Sequence, residues 1–107
     1  TGLFSINNNG RVMNINPAAK KLTGLQDYYH INVLSKIDTV LPDFLMHPIE
    51  SLHDQSAIFE NQYGKKLLFK LSEIINQKDK IRLVAVSDIT KELDNGEVEA
   101  WIKLART

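Results

Sequence analysis

The histidines are the first residues to test for chemistry, because histidine is both a common metal ligand and a phosphate acceptor. The chain has three: His30, His47 and His53. His53 is followed by Asp54, and a histidine beside a carboxylate is typical of a solvated surface. None of the three is in the His-Glu context of a histidine that a kinase phosphorylates. We therefore predict that none of them is a metal ligand or a phosphate acceptor.

Paired carboxylates are the next candidates, because two of them can divide the roles of general acid and general base. Glu97 and Glu99 are separated by one residue, which on a helix directs them about 200° apart, so they cannot converge. Asp38 and Asp43 belong to no Ser/His/Asp set. The glycines form neither GxGxxG nor GxxxxGK, the patterns that hold phosphates. The sequence predicts no catalytic or nucleotide-binding machinery.

The composition narrows the class of protein further. At 107 residues, 43% hydrophobic and 24% charged, the chain has the size and composition of one soluble globular domain. Thirteen basic and thirteen acidic residues leave no net charge, which argues against nucleic-acid binding. The chain has no cysteine, which excludes disulfides and thiolate-bound zinc. No apolar run approaches the roughly 20 residues that span a bilayer, so we expect no membrane contact.

The first elements are marked by turn and capping residues. Asn9-Gly10 lies between two apolar runs and predicts a β-hairpin with a type I′ turn. Asn16 can cap a helix, and Pro17 fits its first position, where no backbone donor is needed. Gly24 can end that helix in a left-handed conformation. A hairpin followed by a short helix is therefore predicted over residues 2–24.

Short helices and then strands are predicted for the rest of the chain. Apolar residues recur at helical spacing over residues 31–55, but Pro42 and Pro48 predict two or three short helices. Strands are predicted over residues 57–61, 67–72 and 81–86, a polar loop over 76–80, and an exit helix over 92–107. This order predicts an α+β domain, a five-stranded antiparallel sheet with the short helices on one face. The predicted core residues are Phe4, Ile6, Leu22, Phe69, Leu71, Leu83 and Ala85.

Residues 2–24, 87–90 and 97–106 together resemble the PAS domains of bacterial sensor histidine kinases. Residues 2–24 resemble the PAS opening, a hairpin with a glycine turn that runs into an Asn-x-Ala-Ala helix ending at a glycine. Ser87-Asp88-Ile89-Thr90 looks like the Asp-Ile-Thr motif with which many PAS domains finish their last strand. Residues 97–106, with Glu-Ala-Trp-x-Lys-Leu, are similar to the connector of nitrogen-regulation-type sensor kinases.

The resemblance implies a role in signalling without chemistry in this chain. Residues 1–90 would form the PAS sensory domain, and residues 91–107 would begin the connector to a dimerisation and phosphoacceptor domain outside this sequence. Asp88, Ile89, Thr90 and Trp101 would transmit the signal by a two-state shift in helix packing. ATP and Mg²⁺ would be bound by the parent's kinase domain. Because the chain starts at Thr1 and its helical pattern reaches Thr107, we expect a piece of a longer protein.

The resemblance also implies partners and a location. The apolar stripe Val98, Trp101, Ile102 and Ala105 has the i, i+3, i+4, i+7 spacing of a dimeric coiled coil, and of a helix packed back on its domain. We expect a homodimer through the C-terminal helix, the kinase domain of the same chain and a cognate response regulator as partners. An unidentified small ligand and an inner-membrane anchor in the parent are left open. The expected location is the cytoplasm.

Other functions remain open beside this interpretation. PAS domains also occur in transcription regulators and cyclic-dinucleotide enzymes, and the chain would then regulate a different output. A cofactor-binding sensor is a second alternative, and His53 lies near the place of a haem ligand in PAS domains that bind haem. A flavin photoadduct is excluded, because that chemistry needs a cysteine. A purely structural dimerisation module is a third alternative. We expect no haem or flavin in this chain.

Overall fold

The structure is a computed structural model, and it describes residues 1–26, 28–47, 55–76 and 79–94. Five strands and three α-helices occur in that part of the chain, with a 3-10 helix over Ile31–Lys36. The strands are β1 (Gly2–Ile6), β2 (Val12–Ile15), β3 (Gln55–Glu60), β4 (Lys66–Asn76) and β5 (Asp79–Asp88). The helices are α1 (Pro17–Thr23), α2 (Leu41–Met46) and α3 (Thr90–Asp94).

The five strands form one antiparallel sheet in the order β2-β1-β5-β4-β3. β1 and β5, the first and the last of these five strands in the sequence, are neighbours in the sheet: Gly2 pairs with Val86 and Ile6 with Arg82. β4 and β5 pair along their whole lengths, from Leu67 opposite Asp88 to Asn76 opposite Asp79. The predicted α+β class and the five-stranded antiparallel sheet are confirmed.

The β1–β2 hairpin closes with a longer loop than predicted. The N–H of Asn7 donates to the carbonyl of Arg11, and the N–H of Gly10 donates to the carbonyl of Asn7, each at 3.0 Å. Asn8, Asn9 and Gly10 therefore form a three-residue loop, with Gly10 at φ 82°. The predicted two-residue type I′ turn is wrong, because the Asn7 side chain accepts from the N–H groups of Asn9 and Arg11 and favours the wider loop.

The ends of α1 agree with the capping pattern in the sequence. The Asn16 side chain accepts from the N–H of Ala19 at 2.9 Å, and Pro17 occupies the first turn. Gly24 is left-handed at φ 72°, and its N–H donates to the carbonyl of Lys20. Asn16 also accepts from the N–H of Leu3, which ties the start of α1 to β1. The predicted helix boundaries are confirmed.

The core lies between one face of the sheet and the short helices. Phe4, Phe69 and Leu71 are fully buried on the sheet side, as predicted. The rings of Phe44, Phe59 and Phe69 lie in series, with centroids 5.8 and 5.7 Å apart. The largest fully buried side chains are those of Phe4, Ile6, Thr23, Ile31, Leu34, Leu41, Leu45, Leu67, Phe69, Leu71, Val84 and Val86.

The predicted core was wrong for β5 and partly right for Leu22 of α1. Leu83 and Ala85 are half-buried on the other face of the sheet, whereas Val84 and Val86 are fully buried. The physical reason is the pairing: Val84 lies opposite both Phe4 and Leu71, so it shares their face. Leu22 is half-buried and packs against the edge of the core.

The β4–β5 hairpin extends further than predicted. Residues 76–80 were predicted to be a loop, but β4 continues to Asn76 and β5 begins at Asp79. Polar residues are tolerated there, because the hairpin passes the ends of its neighbouring strands. Ile74 and Ile75 are 49% and 69% exposed near its tip. The exit helix starts at Thr90, and its predicted continuation from residue 95 lies outside the described residues.

Candidate functional site

The histidines that the structure describes have structural contacts. His30 Nδ1 accepts from the N–H of Asn32 at 3.1 Å and caps the 3-10 helix. Its Nε2 is 2.7 Å from the carbonyl oxygen of Asn9, so Nε2 carries the proton and donates. Within residues 1–26, 28–47, 55–76 and 79–94, no group of three or more His, Asp and Glu side chains could hold a metal ion. His53 lies outside the described residues.

One buried tyrosine carries a polar group into the core. Tyr28 is 6% exposed, and its ring packs on Phe4 with centroids 5.4 Å apart. Its hydroxyl is buried and forms no hydrogen bond within the described residues. Burial raises the pKa of the Tyr28 phenol above its usual value, and the Thr23 hydroxyl nearby opposes part of that rise. The group is held neutral, which suits packing rather than acid–base chemistry.

The predicted signalling residues that the structure describes meet where β5 passes into α3. Asp88 Oδ1 accepts from the N–H of Thr90 at 3.0 Å and from its hydroxyl at 2.6 Å. The Thr90 hydroxyl in turn accepts from the N–H of Lys66 at 2.8 Å. The N–H of Ile89 donates to the carbonyl of Lys66 at 2.9 Å. We call Lys66, Asp88, Ile89 and Thr90 the exit junction; it fastens the end of β5 to the start of β4.

The hydrogen bonds of Thr90 also stabilise the charged form of Asp88. They lower the pKa of the Asp88 carboxyl, the hydroxyl most and then the N–H, and the nearby Lys65 ammonium adds to this. The small burial of the carboxyl opposes the shift. Lys66 forms an exposed ion pair with Glu60, Nζ to Oε1, at 2.6 Å. The Asp88 carboxylate is therefore ionised and hydrogen-bonded to Thr90 at neutral pH.

Ile89 anchors the first turn of α3. Its side chain is 8% exposed, and its carbonyl accepts from the N–H of Leu93 at 2.9 Å. An apolar anchor between Asp88 and Thr90 means that α3 cannot rotate without moving a buried group. Asp88 and Thr90 line an open cleft, where the Asp88 carboxylate is hydrogen-bonded to Thr90. What the exit junction can do is hold α3 in one orientation relative to the sheet.

Trp101, the fourth predicted signalling residue, lies outside the described residues. The predicted fold-motif residues occupy two separate places. Asn9 and Gly10 are at the β1–β2 loop, beyond the Ile6 end of β1. Asn16, Pro17 and Gly24 are on α1, whose contacts with β1 lie near Gly2.

Asn61 is an important residue that the sequence reasoning missed. It is 7% exposed, and its Nδ2 donates to the carbonyl of Leu22 at 2.9 Å. Its Oδ1 accepts from the N–H groups of Tyr63 and Lys65, each at 2.9 Å. An asparagine three residues before Gly64 is a turn signal that the sequence contains. Its contact with α1 is long-range and has no local signal.

Arg82 was also missed. Its side chain is 12% exposed and faces the core side of β5, opposite Ile6. Nη1 donates to the carbonyl of Leu45 at 2.8 Å and to the carbonyl of His47. Nε is 3.8 Å from Glu73 Oε2 on the neighbouring strand. The guanidinium therefore caps the C-terminal end of α2.

Comparison with known proteins places this geometry in a known fold. No protein-family model and no curated protein matches the chain. A PAS domain from a two-component sensor histidine kinase is 18% identical, with a TM-score of 0.55 over 81% of this chain and 83% of that one. The PAS domain of BvgS from Bordetella pertussis is 11% identical, with a TM-score of 0.64 over 97% of this chain and 88% of that one. The chain has the PAS fold.

A third solved structure is also similar to this chain. A domain of an HTR-like protein from Haloarcula marismortui is 12% identical, with a TM-score of 0.55 over 83% of this chain and 97% of that one. In this chain the exit junction lies at the C-terminal end of β5, where it bonds the residues that follow β5 to the start of β4. Within the part of the chain that the structure describes, no helix is long and apolar enough to cross a membrane.

Proposed function

We propose that this PAS-fold domain regulates a sensor histidine kinase of the nitrogen-regulation type, to which it relays a signal without chemistry of its own. The observation that carries the proposal is the exit junction. The Thr90 hydroxyl is bonded both to Asp88 and to β4, so the orientation of α3 depends on the pairing of the last two strands. The similarity of residues 97–106 to the connector of such kinases supports this type of output.

The proposed assembly follows from that output. A kinase whose autophosphorylation is controlled by helix packing needs two copies side by side, so we propose a homodimer through residues 91–107. The parent's kinase domain would bind ATP and Mg²⁺, and a cognate response regulator would receive the phosphate. The domain would act in the cytoplasm. We propose that it carries no haem or flavin, and that any small ligand binds without a covalent step.

Removal of the Thr90 hydroxyl from the full-length protein tests the proposal. Thr90→Val keeps the shape of the side chain but removes the bonds to Asp88 and Lys66. We expect the autophosphorylation rate with labelled ATP to change by about fivefold or more, the lower end of typical coupling between sites. Thr39→Val is the matched control, because Thr39 is an exposed threonine just before α2 and should leave the rate unchanged.

Two results would count against the proposal. If Thr90→Val and Thr39→Val both phosphorylate at the wild-type rate, the exit junction does not transmit. If the full-length protein transfers no phosphate from ATP to a histidine, the output is not a histidine kinase.

A further inference from the structure

We propose that the β3–β4 turn, Asn61–Lys65, couples the C-terminal end of α1 to the exit junction. A displacement of α1 would move this turn. The turn would then move the Lys66 N–H, which donates a hydrogen bond to the Thr90 hydroxyl. The regulatory meaning of this coupling rests on the proposed function, whereas the coupling itself is a property of the domain.

The first half of the coupling is the contact between α1 and the turn. Two carbonyls at the C-terminal end of α1 accept from side chains of the turn: Leu22 from Asn61 Nδ2 at 2.9 Å, and Thr23 from Gln62 Nε2 at 3.3 Å. Carbonyls in the last turn of a helix have no partner within the helix. The turn therefore supplies bonds that α1 cannot make for itself, and a shift of α1 would break them or carry the turn with it.

The second half is the internal rigidity of the turn. Asn61 Oδ1 accepts from the N–H groups of Tyr63 and Lys65, while the Asn61 N–H donates to the carbonyl of Lys65 at 2.9 Å. The same side chain thus holds both α1 and the last residue of the turn. Lys66 is the next residue, and its N–H and carbonyl are the two groups that bond Thr90 and Ile89.

The N-terminal end of α1 is also held, by contacts with β1, so we expect the helix to move as a rigid unit. Asn16 accepts from the N–H groups of Leu3 and Ala19, each at 2.9 Å. Gly2 lies so close to the helix that a Cβ on it would come within 2.6 Å of the Ala19 Cα. A movement of β1 or α1 at this end of the sheet therefore has one rigid helix through which to reach the turn.

The Asn61→Asp variant tests the contact selectively. Aspartate keeps the oxygen that accepts from Tyr63 and Lys65, but it cannot donate to the Leu22 carbonyl when ionised. We expect the amide hydrogen exchange of Lys66 and Thr90 to accelerate by about tenfold relative to that of Val84, as expected when one buried donor bond is lost. Val84 is fully buried in β5 and reports global unfolding.

The Gly24→Ala variant perturbs the contact between α1 and the turn from the α1 side. A Cβ on Gly24 would collide with Gln62 Nε2 and lie 2.8 Å from the Tyr63 ring, so both side chains must move and the bond from Gln62 to the Thr23 carbonyl is displaced. Gly10→Ala is the matched control, because Gly10 is also left-handed, at φ 82°, and its Cβ would press on the His30 ring instead. Both variants carry the same kind of backbone strain, but only Gly24→Ala touches the turn.

The outcomes are decisive for the coupling. Faster exchange at Lys66 and Thr90 in Gly24→Ala and in Asn61→Asp, with no such change in Gly10→Ala, supports the proposal. Exchange at Lys66 and Thr90 that is unchanged in Gly24→Ala, or changed equally in Gly10→Ala, overturns it, whether or not Asn61→Asp folds. Because these measurements use the domain without ATP, they can fail while the kinase assay of Thr90→Val succeeds, and the reverse also holds.

Discussion

At the scale of single residues, the hydroxyl of Thr90 and the carboxylate of Asp88 act as a unit. The hydroxyl donates to Asp88 and accepts from the N–H of Lys66, so it is a donor and an acceptor at once. Valine cannot take either role, and serine would take both with less restriction of its side chain. The Asp-Ile-Thr pattern in the sequence predicted this place and these residues, but it did not predict Lys66, which is distant in sequence.

The lowered pKa of Asp88 makes the junction sensitive to acid. An unfolded aspartate titrates near about 3.9, and the folded value is lower, so the ionised carboxylate stabilises the fold above the unfolded value. That contribution is lost as the pH falls through the folded value. We expect wild type to melt by a few degrees at most above Asp88→Asn at about pH 7, and this difference in melting temperature to shrink as the pH falls below about 3.9.

Thermal unfolding followed by circular dichroism across that pH range measures this gap. Asp38→Asn is the control, because Asp38 accepts from the N–H of Val40 at 3.0 Å in the same kind of turn. A gap between wild type and Asp88→Asn that stays constant with pH, or grows as the pH falls, would contradict the prediction.

At the scale of elements, local signals predicted boundaries well and contacts poorly. The ends of α1 were predictable because Asn16, Pro17 and Gly24 act on their own neighbours. The support of α2 by Arg82 was not predictable, because the bond joins residues that are far apart in sequence. An arginine in an apolar strand indicates a special environment, but its partner depends on the tertiary fold.

Arg82→Met tests the cap on α2. Methionine fills similar space but leaves the carbonyls of Leu45 and His47 without this donor, so we expect a loss of about 2–3 kcal/mol in the free energy of unfolding. The control is Lys80→Met, which removes a positive charge from an exposed position two residues earlier on the same strand. Urea unfolding should show a change within about 0.5 kcal/mol for Lys80→Met. A similar small change for Arg82→Met would show that the cap does not stabilise the fold.

At the scale of the whole molecule, the sheet has apolar residues on both faces. Residues 81–86 are apolar at nearly every position, so alternation could not decide which side chains face the helices. The choice is made by pairing with β1 and β4, which places Val84 beside Phe4 and Leu71. Leu83 and Ala85 are therefore directed to the second face, where Leu3 is 41% exposed.

Leu71→Ala and Leu83→Ala form a matched pair that tests this assignment. Leu71 is fully buried in the core, and its truncation should cost about 2–5 kcal/mol in the free energy of unfolding. Leu83 is half-buried on the second face, so its truncation should cost less than half as much. Chemical denaturation of both variants measures the difference. Equal losses would mean that the second face is as well covered as the core.

The pairing of β1 with β5 has a consequence for how the protein is made. Among the five strands of the described residues, β1 is synthesised before the others, but its neighbour β5 is synthesised after them. The β1–β2 hairpin can form early, whereas β1 must wait for β5 before it is paired on both sides, and such non-local pairing slows folding. β5 also leads directly into α3, so the sheet closes and α3 gains its attachment in the same late step. A nascent chain that stops before Asp79 therefore lacks both β5 and α3, and it exposes unpaired strands to aggregation or proteolysis.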